Sequence, residues 1–200
     1  MLILGLTGGI ACGKSLVSTW LQQQGAAIID ADAVAHTLMR PGGSLYMAYL
    51  EHFGSVILLP DGTLDRQQIG RMTFGKPEVE HWLNATAHPV IRAAIQKRMH
   101  AFAKAGHKVC VLDVPLLYEA GWDRLCDYVC VVWTRQDVQL QRLMARNSYT
   151  REEALARVAA QMPQDSKKLR ANYCLDNNGS REATLEQAAA MWEEIKHVRK

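Results

Sequence analysis

The sequence predicts an α/β protein built on a doubly wound parallel sheet of about five strands, with an inserted helical region and a second helical segment. Three observations carry that expectation. Leu2–Thr7 is an almost continuous apolar run that stops at Gly8 and Gly9, the pattern of a strand buried on both faces. From Lys14 onward Val17, Trp20 and Leu21 recur at helical spacing, with Gly25 as the C-terminal stop. A second strand at 26–30 then completes strand, tight loop, helix and strand, a βαβ unit with a right-handed crossover.

The later elements follow in order. Residues 108–114 and 128–134 are β-branched apolar runs, and Tyr173–Asp176 is a shorter strand flanked by turn residues. Between 32 and 106 the pattern is helical, with turns at Pro41-Gly42-Gly43 and Asp61-Gly62 and a stripe of Ile91, Ala94, Ile95 and Phe102. His88, just before Pro89, invites a catalytic role but reads rather as a packing or capping residue at a helix start. Residues 135–170 hold two helical stretches, the second opened by a Thr150 and Glu153 capping box ahead of Leu155, Val158, Ala159 and Met162. Leu185, Ala188, Ala189, Trp192 and Ile195 form a closing amphipathic helix. The expected organisation is a core of 1–31, 107–134 and 171–200, a helical subdomain at 32–106, and a lid at 135–170.

Composition narrows the class. With 200 residues, 48% hydrophobic and 22% charged, the chain is neither disordered, collagenous nor coiled coil. A chain of this size buries roughly 70% of its unfolded surface and needs no staples. The net charge of +3 is too small for wholesale binding of nucleic acid or a membrane. Positive charge is concentrated locally, however: 135–170 holds eight basic residues (135, 142, 146, 151, 157, 167, 168, 170) against four acidic ones (137, 152, 153, 165). The five cysteines, Cys12, Cys110, Cys126, Cys130 and Cys174, are odd in number and lack paired C-x-x-C spacing. They read as free thiols in a reducing, cytoplasmic setting, with Cys126 and Cys130 as buried strand thiols rather than zinc ligands. The apolar start has no basic n-region and is broken by glycines, unlike a signal peptide or membrane span. Oligomeric state is not legible.

Gly8-Gly9-Ile10-Ala11-Cys12-Gly13-Lys14-Ser15 matches G-x-x-x-x-G-K-[ST], directly after a buried strand and at a helix start. Loop amides and the first helical turn converge on phosphate oxygens there, and the helix dipole adds positive potential. The binding set is Gly9, Ala11, Cys12, Gly13, Lys14, Ser15 and Leu16, with Lys14 on the β/γ phosphates and Ser15 on Mg²⁺, so the fuel is a nucleoside triphosphate. Asp113 ends an apolar strand, where a carboxylate stands beside the phosphate loop or merely terminates the strand; it is the second candidate Mg²⁺ ligand. Asp30 and Asp32 lie at the carboxyl end of the second strand. On an extended stretch they share a face, so either fits a base, a metal ligand or a helix cap near Ala33.

Together, Leu6-Thr7-Gly8-Gly9-Ile10, Gly13-Lys14-Ser15, Ile29-Asp30-Ala31-Asp32, His88-Pro89, Pro115-Leu116-Leu117-Tyr118-Glu119 and Asp176-Asn177-Asn178-Gly179 resemble the dephospho-CoA kinase family along nearly the whole chain. The resemblance implies a P-loop kinase core that uses ATP to phosphorylate the ribose 3′-hydroxyl of dephospho-CoA, with a helical CoA-binding subdomain and a mobile lid. It further implies Asp32 as base or orienter for that hydroxyl, Arg142 as a lid residue reaching phosphates, and Asn177 in a loop beside adenine. Two departures stand out: Ala11-Cys12 replaces the family's usual Gly-Ser, and an acid is not always found where Asp113 stands. The first requires Ala11 to adopt the loop's backbone angles without glycine's freedom. It also puts a thiol at a helix N-terminus, where a lowered pKa and oxidation sensitivity are expected. Other readings of the same motifs are a different small-molecule or nucleoside monophosphate kinase, and a nucleic-acid-stimulated ATPase.

Overall fold

The computed structural model describes residues 1–198. Two compact units emerge, Met1–Ile29 together with the chain from Ala101 onward, and Asp30–His100. The sheet contains β1 (Leu2–Thr7), β2 (Ala27–Asp30), β3 (Val109–Asp113), β4 (Tyr128–Trp133) and β5 (Tyr173–Asp176) in the order β2-β3-β1-β4-β5. The described helices are α1 (Lys14–Gln23), α2 (Ala31–Leu38), α3 (Ser44–Phe53), α4 (Arg66–Thr73), α5 (Pro77–Lys104), α6 (Gln136–Asn147), α7 (Arg151–Ala159), α8 (Gln164–Arg170) and α9 (Arg181–His197).

In the first unit the apolar run of β1 lies at the centre of the sheet, pairing in parallel with β3 (Leu4↔Val111) and with β4 (Leu6↔Cys130). Strand order reverses beside β1, so the carboxyl end of this strand is the switch point where doubly wound sheets bind ligands. Leu4, Leu6, Val111 and Val132 pack with Val17 and Leu21 of α1 and with Ala188, Met191, Trp192 and Ile195 of α9. Helix α1 ends as its glycine dictates. Gly25 takes φ +92°, its N–H donates to Gln22 O at 3.0 Å, and Ala26 N–H donates to Leu21 O at 3.1 Å, a Schellman closure that turns the chain into β2.

The second unit has its own core of Tyr49, Ile57, Leu64 and Ile69, against which Trp82 and Phe53 pack. Its Asp61-Gly62 turn pairs Leu58 with Leu64 in one antiparallel bridge. His52 stacks on Trp82 with ring centroids 3.6 Å apart.

Three expectations need correction. Pro89 lies inside the 28-residue α5, so His88 is not at a helix start. The ring leaves Ala85 O without its usual helical donor, a local defect that the long buried stripe of Ile91, Ile95 and Met99 outweighs. Residues 135–170 form three helices rather than two, because Pro163 breaks the chain after α7 and provides the N-cap of α8. The Asp30 to Asp32 stretch is not extended: the helix begins at Ala31, and Asp30 rather than Asp32 caps it. The Thr150 and Glu153 capping box is present, with both reciprocal hydrogen bonds.

Candidate active site

The glycines after β1 are required by close neighbours. A Cβ on Gly8 would lie 2.7 Å from Val132 O of β4, and one on Gly13 would overlap the Asn177 amide. Gly13 sits at φ +88° and starts α1 without a side-chain cap, and no acidic residue occupies the first turn. The N-terminus of this helix is therefore open to an anion. Leu16 N–H donates to Gly13 O at 3.0 Å and closes the first turn. Ala11 has the left-handed φ of +61°, a conformation that costs an alanine roughly 1–2 kcal/mol and glycine almost nothing.

Both halves of the loop are held by polar side chains. In the second half, Asn177 Nδ2 donates to Cys12 O at 2.8 Å, and Thr184 Oγ1 fixes the amide by donating to Asn177 Oδ1 at 2.9 Å. Thr134 Oγ1 donates to the same Cys12 carbonyl at 3.4 Å. Asn177 is thus committed to the loop backbone. In the first half, Gln139 Nε2 donates to Ile10 O and Ile10 N–H donates to Gln161 Oε1, each at 2.8 Å. Gln164 also presses on Gly9, and Ile10 and Ala11 pack on the cluster of Leu140, Leu143 and Ala154. The helices of 135–170 therefore rest directly on the phosphate loop.

The charges converge on the same place. Lys14 forms an ion pair with Asp113, which is buried at the end of β3. Arg142 is half-buried and makes no hydrogen bond or ion pair among the described residues, yet its charge and that of Lys167 act on Cys12. The basic surplus of 135–170 is otherwise largely engaged, as in Arg170 with Asp123 and Lys168 over the Trp133 ring. Lys167 is fully buried, pairs with Glu119 at 2.9 Å and donates to Pro115 O at 2.8 Å. Burial alone would raise the Glu119 carboxyl, but hydrogen bonds from Lys167 and Met162 N–H hold it below its ordinary value.

The thiol expectation is overturned. Cys12 is wholly inaccessible, and burial pushes its pKa up to about 11 despite the lowering pull of Thr134, the Gly9 backbone, Lys167 and Arg142. Desolvation outweighs the helix terminus here.

Ser15 stands exposed at the start of α1. Among the described residues no three His, Cys, Asp or Glu side chains gather as a metal centre. The hydroxyl of Ser15 and the carboxylate of Asp113 are nonetheless hard oxygen donors, suited to Mg²⁺ that keeps water and phosphate as its other ligands. Asp32 belongs to the second unit, in the first turn of α2, where Asp30 Oδ1 accepts from Ala33 N–H at 3.0 Å.

Sequence reasoning missed the three glutamines, Thr134, Thr184 and Lys167. A signal existed for two of them. Gln139 falls four residues before Leu143 and Gln161 three after Val158, so each is a polar group on the buried stripe of a helix pattern.

Comparison with known proteins agrees with this geometry. The family model for dephospho-CoA kinase matches residues 2–183. A dephospho-CoA kinase from Symbiobacterium thermophilum is 47% identical over 96% of this chain and 80% of its own length. One from Bacillus licheniformis is 43% identical over 97% and 98%. Among solved structures, TT1252 from Thermus thermophilus superposes with a TM-score of 0.82 at 32% identity, covering 96% of this chain and 97% of its own. Dephospho-CoA kinase from Campylobacter jejuni gives 0.73 at 27% identity, covering 97% and 96%. A phosphate loop braced on both halves, the lysine and carboxylate beside it, and a family match across almost every element lead to one conclusion: the chain belongs to the dephospho-CoA kinase family.

Proposed function

We propose that the protein transfers the γ-phosphoryl group of ATP to the ribose 3′-hydroxyl of dephospho-CoA, giving CoA and ADP. The observation that carries this reading is the family match over residues 2–183, which takes in the loop, the helical unit and the basic segment together. Phosphoryl transfer is mainly a matter of positioning and charge neutralisation. Lys14, released from Asp113, meets the β/γ phosphates, and Arg142, which has no counter-carboxylate among the described residues, adds charge as the γ-phosphoryl group departs. Ser15 and Asp113 are the residues that would hold Mg²⁺, which would supply charge neutralisation to the phosphates. Asp32 aligns the acceptor hydroxyl, residues 32–106 hold the CoA moiety, and 135–170 acts as the lid that excludes competing water.

With a small-molecule substrate, no nucleic acid or membrane in the reaction, and five free thiols, we take the enzyme to work in the cytoplasm. No described helix is long and apolar enough to cross a membrane. The test is incubation of the enzyme with Mg²⁺, ATP and dephospho-CoA, with mass detection of one added phosphate. CoA should form, with kcat/KM far above that for AMP or adenosine. Equal kcat/KM for AMP would overturn the assignment of substrate.

A further inference from the structure

Ile10 is gripped at both ends of its backbone by the segment that follows β4. Gln139, near the start of that segment, donates to Ile10 O, and Gln161, near its end, accepts from Ile10 N–H, both at 2.8 Å. The next loop residue is Ala11, an alanine held at φ +61°. A non-glycine residue persists in that region only where its surroundings over-determine it.

Gln161 is itself anchored. It lies in the turn after α7, and the neighbouring Met162 N–H donates to Glu119 Oε1 at 3.0 Å. Glu119 is paired with the buried Lys167, whose ammonium donates to Pro115 O, and Thr7 Oγ1 at the end of β1 donates to that same carbonyl at 3.0 Å. A continuous polar link therefore runs from the ends of β1 and β3 to the glutamine that holds the loop.

We infer that Gln161 is a positioning residue: it fixes the Ile10 peptide so that Ala11 stays left-handed and the loop is ready for nucleotide before nucleotide arrives. The inference rests on the loop being the ATP site, and deepens that reading. In a chain with glycine at position 11 the conformation would cost almost nothing; here the glutamine supplies what the alanine lacks.

The experiment uses the full-length enzyme with ATP alone, so it is independent of the acceptor. A wild-type enzyme that binds no ATP would refute the assignment of the loop itself. In Gln161→Leu, amide hydrogen exchange at Ile10 should accelerate and the Kd for ATP should rise about tenfold, the scale of one buried donor left unsatisfied. Adding Ala11→Gly in that background should recover most of the lost affinity, which a merely structural defect would not show. Gln161→Glu keeps the acceptor oxygen, so Ile10 should stay protected even though the added charge weakens ATP binding; this variant decides the matter if Gln161→Leu does not fold. Unchanged Ile10 exchange and ATP affinity in folded Gln161→Leu, a loss that Ala11→Gly leaves untouched, or lost protection in Gln161→Glu would each overturn the proposal.

Discussion

Lys14 of the phosphate loop is ion-paired with Asp113 at the end of β3, across the central pair of strands. The pairing neutralises a lysine that must otherwise stand charged and only slightly exposed, and aims it along the sheet's carboxyl edge. The same carboxylate is a candidate metal ligand, so on the proposed reading nucleotide entry would exchange one partner of each group for another. Lys14→Ala should abolish measurable turnover while leaving the circular dichroism spectrum unchanged. Asp113→Asn keeps the volume but removes the charge, and is expected to lower kcat by about a hundredfold, with a rise in the Mg²⁺ concentration needed for half-maximal rate. A folded Lys14→Ala enzyme with wild-type kcat would falsify the phosphate-loop assignment.

Arg142 is half-buried beside the loop without a carboxylate partner among the described residues. On the proposed reading this guanidinium meets phosphate when the site closes. Arg142→Ala is expected to lower kcat by more than it weakens ATP binding, since its charge matters most as the phosphoryl group moves. Limited proteolysis should show 135–170 better protected with ATP and acceptor than without them; unchanged protection would defeat the lid reading.

The ion pair between the buried Lys167 and the solvent-accessible Glu119 ties α8 to the loop that follows β3. Removing the carboxylate strands the buried ammonium, so Glu119→Leu should cost about 3–5 kcal/mol in urea unfolding, whereas a joint Lys167→Met and Glu119→Leu change should cost less than the sum of the two singles. Additive losses would mean that the ion pair has no coupling of its own.

The thiols give a pH dependence. Burial raises Cys12 to about 11 and Cys110 and Cys126 to about 12, from an ordinary value of 9.0. The unfolded chain sheds these protons near pH 9 while the folded one keeps them. Stability is therefore full below pH 9 and falls as pH rises through 11. Urea midpoints should drop across that window, less steeply in Cys12→Ala. At pH 8 alkylation of Cys12 should be limited by opening of the fold, and fast labelling of the native enzyme would contradict its burial.

What the sequence made legible follows the range of the forces involved. Strands β1 to β5 and the Thr150 cap were readable because apolar runs and capping residues act within a few positions. The loop was readable because its glycines answer to local backbone demands. The partners of Gln139, Gln161 and Lys167 were not, because each lies over a hundred or some fifty residues away: Ile10 for both glutamines, Pro115 for Lys167. Cys12 misled for the same reason. A helix terminus is visible in sequence, whereas desolvation belongs to the assembled fold. Only the conformation of Asp30 and Asp32 was misread, at a boundary, since an Asp-x-Asp reads as extended only while the helix start is unknown.

That boundary separates the two aspartates by role. Asp30 Oδ1 accepts from Ala33 N–H and caps α2, while Asp32 lies in the first turn of that helix. Asparagine caps about as well as aspartate, so Asp30→Asn should leave stability and kcat close to wild type, and Asp30→Ala should lose about 1 kcal/mol of stability. Asp32→Asn should instead cut kcat by roughly a hundredfold, the lower part of the range for general-base help, because the loose phosphoryl transition state demands little early proton removal. ATP affinity should stay near normal in both asparagine variants, as neither residue belongs to the phosphate loop. Measuring kcat, ATP Kd and urea midpoint for the three variants side by side separates the roles. An Asp32→Asn enzyme with normal turnover beside a dead Asp30→Asn would mean that the cap residue, and not its neighbour in the first turn, faces the acceptor hydroxyl.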